Sequence, residues 1–279
     1  MPRALGGTRP RLVTLSSDVG SAYSAQMKAV FARSLDPGRI VELAHDLPAH
    51  NVEEAAFVVR AMGIGFPSGT VHVVVVDPGV GGRRAPIAIA CRDGSRLVGP
   101  NNGVLYPLAR SLGIGPAYRI EPVRLRPDRP RVGTTFDGRD LFAPAAAALA
   151  AGRSPRSLGT PMSPRRLEIP VARRTPAGSS GEIVHVDHFG NLISNVPAEW
   201  VPRRIRTLEV RVGSARSRSL PWRTSYEALG VRRAGVLGSS FGTIEVAVAQ
   251  GRAADRFHAR VGSSVRIRWG PGAAATVSG

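Results

Sequence analysis

Val71-His72-Val73-Val74-Val75-Val76 places five valines in six positions with no polar alternation. A β-branched run of this kind reads as a strand covered on both faces, because a strand with one wet face would alternate apolar and polar residues. The flanking chain supplies the covering layers. Arg11 to Ser17 reads as a short buried strand with a polar end, and Ser24 to Arg33 sets Met27, Val30 and Phe31 at helical spacing before Asp36-Pro37-Gly38 stops it. Arg39 to Ala44 reads as a second strand. Asn51, with Glu54 three residues on, forms a capping-box-like start to a helix through Met62 whose apolar face is Ala55, Phe57, Val58 and Ala61. Ile87 to Cys91 continues the sheet after a glycine-rich loop, and Asn102 to Leu112 and Leu141 to Ala151 read as further helices. Strands alternating with helices predict a three-layer α/β domain.

From about Arg153 the chain turns to Pro, Ser, Arg and Gly through Ser180. Beyond it, Gly181 to Val186, Leu208 to Val212, Val236 to Leu237, Thr243 to Val248 and Ser264 to Trp269 read as short strands separated by Gly and Asn turns, which suits a small β-barrel or sandwich. The expected organisation is an α/β domain over 1–160, a linker over 161–180 and a smaller C-terminal β-barrel domain over 181–279. A chain of 279 residues that is 43% hydrophobic has enough apolar material for two such cores.

Charge invites a different reading. The 38 basic residues against 20 acidic give a formal net charge of +18, the electrostatic profile of a polyanion binder. Yet the basic pairs (Arg83-Arg84, Arg165-Arg166, Arg173-Arg174, Arg203-Arg204, Arg232-Arg233) are scattered along the chain, and 5% aromatics is too few for base-stacking platforms. No specific nucleic-acid partner is expected. The single Cys91 lies in an apolar run and reads as a buried, inert thiol. Met1 to Pro10 lacks an apolar export segment and no stretch is long enough to span a membrane, so a cytoplasmic protein is expected.

Acidic residues are scarce, and three follow predicted strands: Asp18, Asp77 and Asp187. Carboxyl ends of strands are where open α/β sheets bind ligands, although aspartate is also a common turn former and helix cap, and spacing does not choose between these. The loop Gly79 to Gly82 leads into Arg83-Arg84 and a strand, without the Lys-Ser/Thr or helix N-terminus that phosphate binding needs. His185-x-Asp187-His188 is a weak zinc signal, and Ser239-Ser240-Phe241-Gly242 lacks the spacing of a nucleophile elbow.

Taken together, the loops carry a further pattern. Leu15-Ser16-Ser17-Asp18-Val19-Gly20 with Tyr23 and Met27-Lys28, Val76-Asp77-Pro78-Gly79-Val80-Gly81, Gly99-Pro100-Asn101-Asn102-Gly103, Phe136-Asp137-Gly138-Arg139-Asp140, Asp187-His188-Phe189-Gly190-Asn191-Leu192-Ile193-Ser194-Asn195 and Gly238-Ser239-Ser240-Phe241-Gly242-Thr243-Ile244-Glu245-Val246-Ala247 follow one another in order. In this the chain resembles the S-adenosyl-L-methionine (SAM) hydroxide adenosyltransferases, the adenosine-forming SAM hydrolases related to SAM-dependent fluorinase and chlorinase. The resemblance runs from about Arg11 to Trp269.

It implies a homotrimer with SAM held at subunit interfaces, hydrolysis of SAM to adenosine and L-methionine, and no metal or cofactor beyond the substrate. Carried over by motif, Asp18 would hold the ribose hydroxyls, Asp187 the amino group of the methionine part, Asn191 the adenine edge and Ser240 the amino-acid end. Asp77 and Arg84 match two members of a water-handling group whose third member is histidine in the family. Here that position is Asp137, so either a carboxylate replaces the imidazole as base or the site is silenced, leaving a SAM or adenosine binder. A halogenase is a third alternative, disfavoured because the halogenases carry Tyr where Asp77 stands and a halide-contacting Ser where Gly138 stands.

Overall fold

The computed structural model describes residues 11–125 and 133–269. Met1 to Pro10, read above as lacking an export signal, lies outside the described residues. The chain divides into two compact units, Met1–Ile169 and Pro170–Gly279.

In the first unit, strands β1 (Val13–Ser17), β2 (Ile40–Ala44), β3 (Val71–Val75), β4 (Pro86–Cys91), β5 (Arg96–Pro100) and β6 (Ile114–Arg119) form one sheet in the order β2-β1-β3-β5-β4-β6. Pairing is parallel from β2 to β5, and β4 runs antiparallel to both its neighbours. Helices α1 (Gly20–Phe31), α2 (Val52–Gly63), α3 (Tyr106–Ser111), α4 (Pro122–Leu125) and α5 (Ala143–Ala150) complete the unit. Passage from β1 to β2 and then back across β1 to β3 reverses direction, so right-handed crossovers put α1 and α2 on opposite faces. All five residues of β3 are buried, as the valine run predicts.

One face is closed by Met27 and Phe31 of α1 and the alanine-rich α5, packed on Val13, Leu15, Val71, Val73 and Val75. On the other, Thr14 Oγ1 lies 2.8 Å from His72 Nδ1, and α2 meets α3 where Gly63 admits Leu108. The start of α2 is the expected box: Glu54 N–H donates to Asn51 Oδ1 at 3.1 Å and Asn51 Nδ2 donates to Glu54 Oε2 at 2.9 Å. Cys91 is buried, and burial pushes its thiol up to about 12, which suits the inert reading. The helix expected over 102–112 is shorter, Tyr106–Ser111, because the Asn102 side chain instead holds the preceding turn, accepting from Val104 N–H and donating to Val76 O.

In the second unit, β7 (Arg173–Thr175), β8 (Gly178–Val186), β9 (Leu192–Pro197), β10 (Thr207–Val212), β11 (Arg218–Pro221), β12 (Ala234–Gly238), β13 (Thr243–Val248) and β14 (Ser264–Arg268) are joined by α6 (Ala253–Phe257). The order β11-β10-β14-β8-β9-β13-β12 is antiparallel throughout, with β7 paired beside β8. Its two ends approach through a Trp222–Val236 bridge and an Arg223 N–H to Val236 O hydrogen bond of 3.0 Å, so the sheet curls into a nearly closed barrel. Alternate residues such as Ile183, Leu192, Val210, Val236, Val246 and Ile267 fill it. Strand β7 and the first residues of β8 fall within the 161–180 stretch that reads as linker in the sequence. Ladder hydrogen bonds to β14 and β7 order Gly178–Ser180 where composition alone suggests a loop.

Candidate functional site

Strand order reverses between β1 and β3, the kind of switch point at whose carboxyl ends open α/β sheets bind ligands, and Asp18 and Asp77 follow these two strands. Asp18 follows β1 directly and its Oδ2 accepts from His50 N–H at 2.9 Å. His50 has a left-handed backbone, φ 64°, an uncommon state for a non-glycine residue that this contact helps to hold.

Asp77 begins the glycine-rich loop, and the glycines explain the path. Gly81 has φ 74°, and a Cβ there would come within 2.8 Å of Thr134 O, so the loop lies directly against the segment leading to Asp137. Arg84, at the end of the loop, donates from Nε to Asp77 Oδ1 at 3.0 Å and to Oδ2 at 2.8 Å, and from Nη2 to both Asp77 Oδ2 and Asp137 Oδ2. All three side chains are nearly buried, Arg84 at 12%, Asp77 at 5% and Asp137 at 4% exposure. Burial alone would lower the Arg84 pKa, but its hydrogen bonds to Asp77 and Asp137 outweigh that and hold the guanidinium above its ordinary value. The trio therefore carries one cation between two carboxylates, and its net charge with both ionised is −1.

Asp137 precedes a π-helical turn, Gly138–Phe142, that runs into α5. Ala143 N–H reaches back to Gly138 O, and Pro144 has no N–H with which to continue an α-helical ladder into the turn. The widened turn sets Phe142 under the Arg84 guanidinium, 5.3 Å from ring centroid to Cζ. Gly138 is tightly enclosed: a Cβ would lie 2.8 Å from both Met27 Sδ and Phe136 Cε2. Around the rim, Arg139 binds Asp140 at 2.7 and 2.9 Å, and exposed Tyr23 meets Phe136 edge-on at 5.1 Å.

The second unit carries its own polar cluster. In the turn between β8 and β9, Asp187 Oδ1 accepts from Asn191 N–H at 2.8 Å and Oδ2 from Asn191 Nδ2 at 2.9 Å, while Gly190, φ 80°, closes the turn. Tyr226 and buried Glu245 join them: Tyr226 is hydrogen-bonded to Glu245, and its hydroxyl lies 3.4 Å from Asn191 Nδ2. Burial raises the Glu245 pKa, Tyr226 opposes the rise and the nearby Asp187 charge adds to it. Ser240 lies outside this cluster, exposed in the turn between β12 and β13, where Ser239 Oγ rather than Ser240 accepts from Phe241 and Thr243 N–H.

Thus the structure brings Asp77, Arg84 and Asp137 together, and Asp187 with Asn191. The sequence singles out neither Tyr226 nor Glu245 for a role, although a lone carboxylate inside the apolar run Ile244–Val248 is a signal for the latter. Tyr226 sits in an irregular loop and leaves none.

Comparison with known proteins identifies the family. Residues 13–159 match the SAM hydroxide adenosyltransferase N-terminal domain and residues 181–266 its C-terminal domain. A (R)-S-adenosyl-L-methionine hydrolase of Salinispora tropica is 35% identical over 266 residues, covering 92% of this chain and 98% of that protein. One of Thermus thermophilus is 36% identical over 267 residues, with 92% and 99% covered. A fluorinase of Actinopolyspora mzabensis is more distant, at 27% over 68% of this chain and 72% of its own. An uncharacterised conserved protein of Thermotoga maritima superposes with a TM-score of 0.81 at 30% identity, covering 92% of this chain and all of its own. With both family domains matched in order over most of its length, this chain belongs to the SAM hydroxide adenosyltransferase family.

Proposed function

We propose that this protein hydrolyses SAM to adenosine and L-methionine, with Asp77, Arg84 and Asp137 handling the attacking water. The observation that carries the reading is the nearly buried carboxylate–guanidinium–carboxylate group beyond the carboxyl end of β3, in a chain of this family. SAM is a sulfonium whose thioether leaves neutral, so attack on the ribose C5′ needs no general acid, metal or further cofactor. It needs an in-line water, a proton acceptor and exclusion of bulk solvent. Two carboxylates locked by one guanidinium supply acceptors in fixed geometry, and their burial limits the competing solvent.

In the same reading Asp18 accepts the ribose hydroxyls, Asp187 the methionine ammonium and Asn191 the adenine edge, with Ser240 at the amino-acid end. The protein acts as a cytoplasmic homotrimer whose subunit interfaces complete the SAM sites. What supports the trimer and the assignments is the motif resemblance; for Asp187 and Asn191 there is in addition their shared turn. Among the described residues no helix is long and apolar enough to cross a membrane.

Two features weigh against halogenation. A halide would meet two carboxylates around a single guanidinium, and Gly138 has no room for the serine side chain that a halide pocket would place there. The deciding experiment is incubation of the purified protein with SAM in halide-free and in chloride buffer, with chromatography for adenosine, methionine and 5′-chloro-5′-deoxyadenosine. Adenosine in both buffers, lost in Asp77→Ala, is the expected result. No product from the native protein but adenosine from Asp137→His would instead make it a binding protein on a silenced site.

A further inference from the structure

Ser17 ends β1, immediately before Asp18, and is fully buried, yet its Oγ has no hydrogen-bond partner among the described residues. A buried hydroxyl is almost always paired, so an orphan at the ligand-binding end of a sheet calls for an explanation. Ser17 lies opposite Val75 in the β1–β3 ladder, in a register that runs without a break from Val13, so it points to the same face as Val13, Leu15 and Val75. Phe142, on which the Arg84 guanidinium rests, belongs to that same core. The orphan hydroxyl and the Asp77–Arg84–Asp137 trio therefore occupy one face and one end of the sheet. Ser16 Oγ is also unpartnered among the described residues, but alternation turns it to the opposite face, away from the trio.

We propose that Ser17 is a positioning residue for the hydrolytic water: its hydroxyl donates to one lone pair of the water whose two protons Asp77 and Asp137 accept. This inference rests on the hydrolase reading above. A water held by two acceptors and one donor has a single lone pair left, and the third contact fixes where that pair points. In the step itself the water oxygen bonds to C5′, the C5′–S bond breaks with its electron pair staying on the departing thioether of methionine, and the water proton passes to one of the two carboxylates. Ser17 neither gains nor loses a proton overall.

The test compares native protein with Ser17→Ala, Ser17→Thr and, as the control on the opposite face, Ser16→Ala, measuring adenosine release against SAM concentration together with thermal unfolding. In Ser17→Ala, kcat is expected to fall about tenfold or more with KM within about twofold, while Tm holds or rises because an unpaired buried hydroxyl has been removed. Ser17→Thr, which keeps the hydroxyl, should recover most of kcat, and Ser16→Ala should leave kcat unchanged. A Ser17→Ala enzyme with kcat within twofold of native, or one whose loss of kcat is matched by a loss of Tm, overturns the inference and leaves the hydrolase reading standing. Absence of adenosine from the native protein overturns both.

Discussion

Arg84 Nε lies 3.0 Å from one carboxylate oxygen of Asp77 and 2.8 Å from the other, while its Nη2 extends the grip to Asp137. A planar fork of donors is needed to serve two carboxylates at once, and a lysine ammonium on a flexible stem cannot reproduce it. Arg84→Lys should therefore keep the charge and lose the geometry, lowering kcat about 10- to 100-fold. Arg84→Ala should abolish turnover and cost about 3–5 kcal/mol of stability, because two nearly buried carboxylates lose their cation. Urea unfolding alongside an adenosine assay separates the two effects.

The trio's charge offers a second handle. Asp137→Asn preserves shape and removes one carboxylate, changing the group from a net −1 to neutral. If Asp137 accepts a water proton, kcat should drop at least tenfold with little change in KM. An Asp137→Asn enzyme as fast as native would assign the acceptor to Asp77 alone.

After β1, Asp18→Asn should keep an oxygen to accept from His50 N–H, now 2.9 Å from Asp18 Oδ2, while losing the negative charge that suits a pair of ribose hydroxyls. SAM affinity, read by calorimetry, should fall by about tenfold with the melting temperature nearly unchanged. A parallel loss of melting temperature would mean that Asp18 serves the His50 turn instead.

Gly138→Ala probes packing. Its Cβ would lie 2.8 Å from the sulfur of fully buried Met27 and equally near the Phe136 ring, so the change should destabilise by about 1–3 kcal/mol through overpacking. Met27→Ala frees only one of the two neighbours, so the double variant should lose less than the sum of the two single changes. Denaturant midpoints of the four proteins in this cycle give the coupling directly.

His72 makes stability depend on pH. Burial lowers its pKa from 6.5 to about 4, so the folded protein holds it neutral while the unfolded chain takes up a proton. Its contribution is fully present above pH 6.5 and is lost as the pH falls towards about 4, amounting at most to about 3 kcal/mol. Unfolding curves for native protein and His72→Gln should converge as the pH is lowered through that window. Parallel curves would show that His72 does not titrate there.

What was legible in the sequence was local. The valine run of β3 reveals a doubly covered strand because burial of both faces is written into six consecutive residues. Asn51 and Glu54 mark the start of α2 because a capping box is made by residues three apart. Motif order likewise located Asp77, Arg84 and Asp137 along the chain.

Only the tertiary structure decided what those residues do to one another. Arg84 and Asp137 are 53 positions apart, and they meet because Gly81 lets its loop lie on Thr134 and because a π-helical turn before Pro144 carries Phe142 under the guanidinium. The tie between Tyr226 and Glu245 and the unpaired burial of Ser17 Oγ likewise depend on how distant strands and loops pack. Hydrophobic periodicity and caps act over a few residues, so a sequence displays them openly. Enclosure and long-range pairing are properties of the packed chain, and they determine which of several scarce aspartates becomes part of a site.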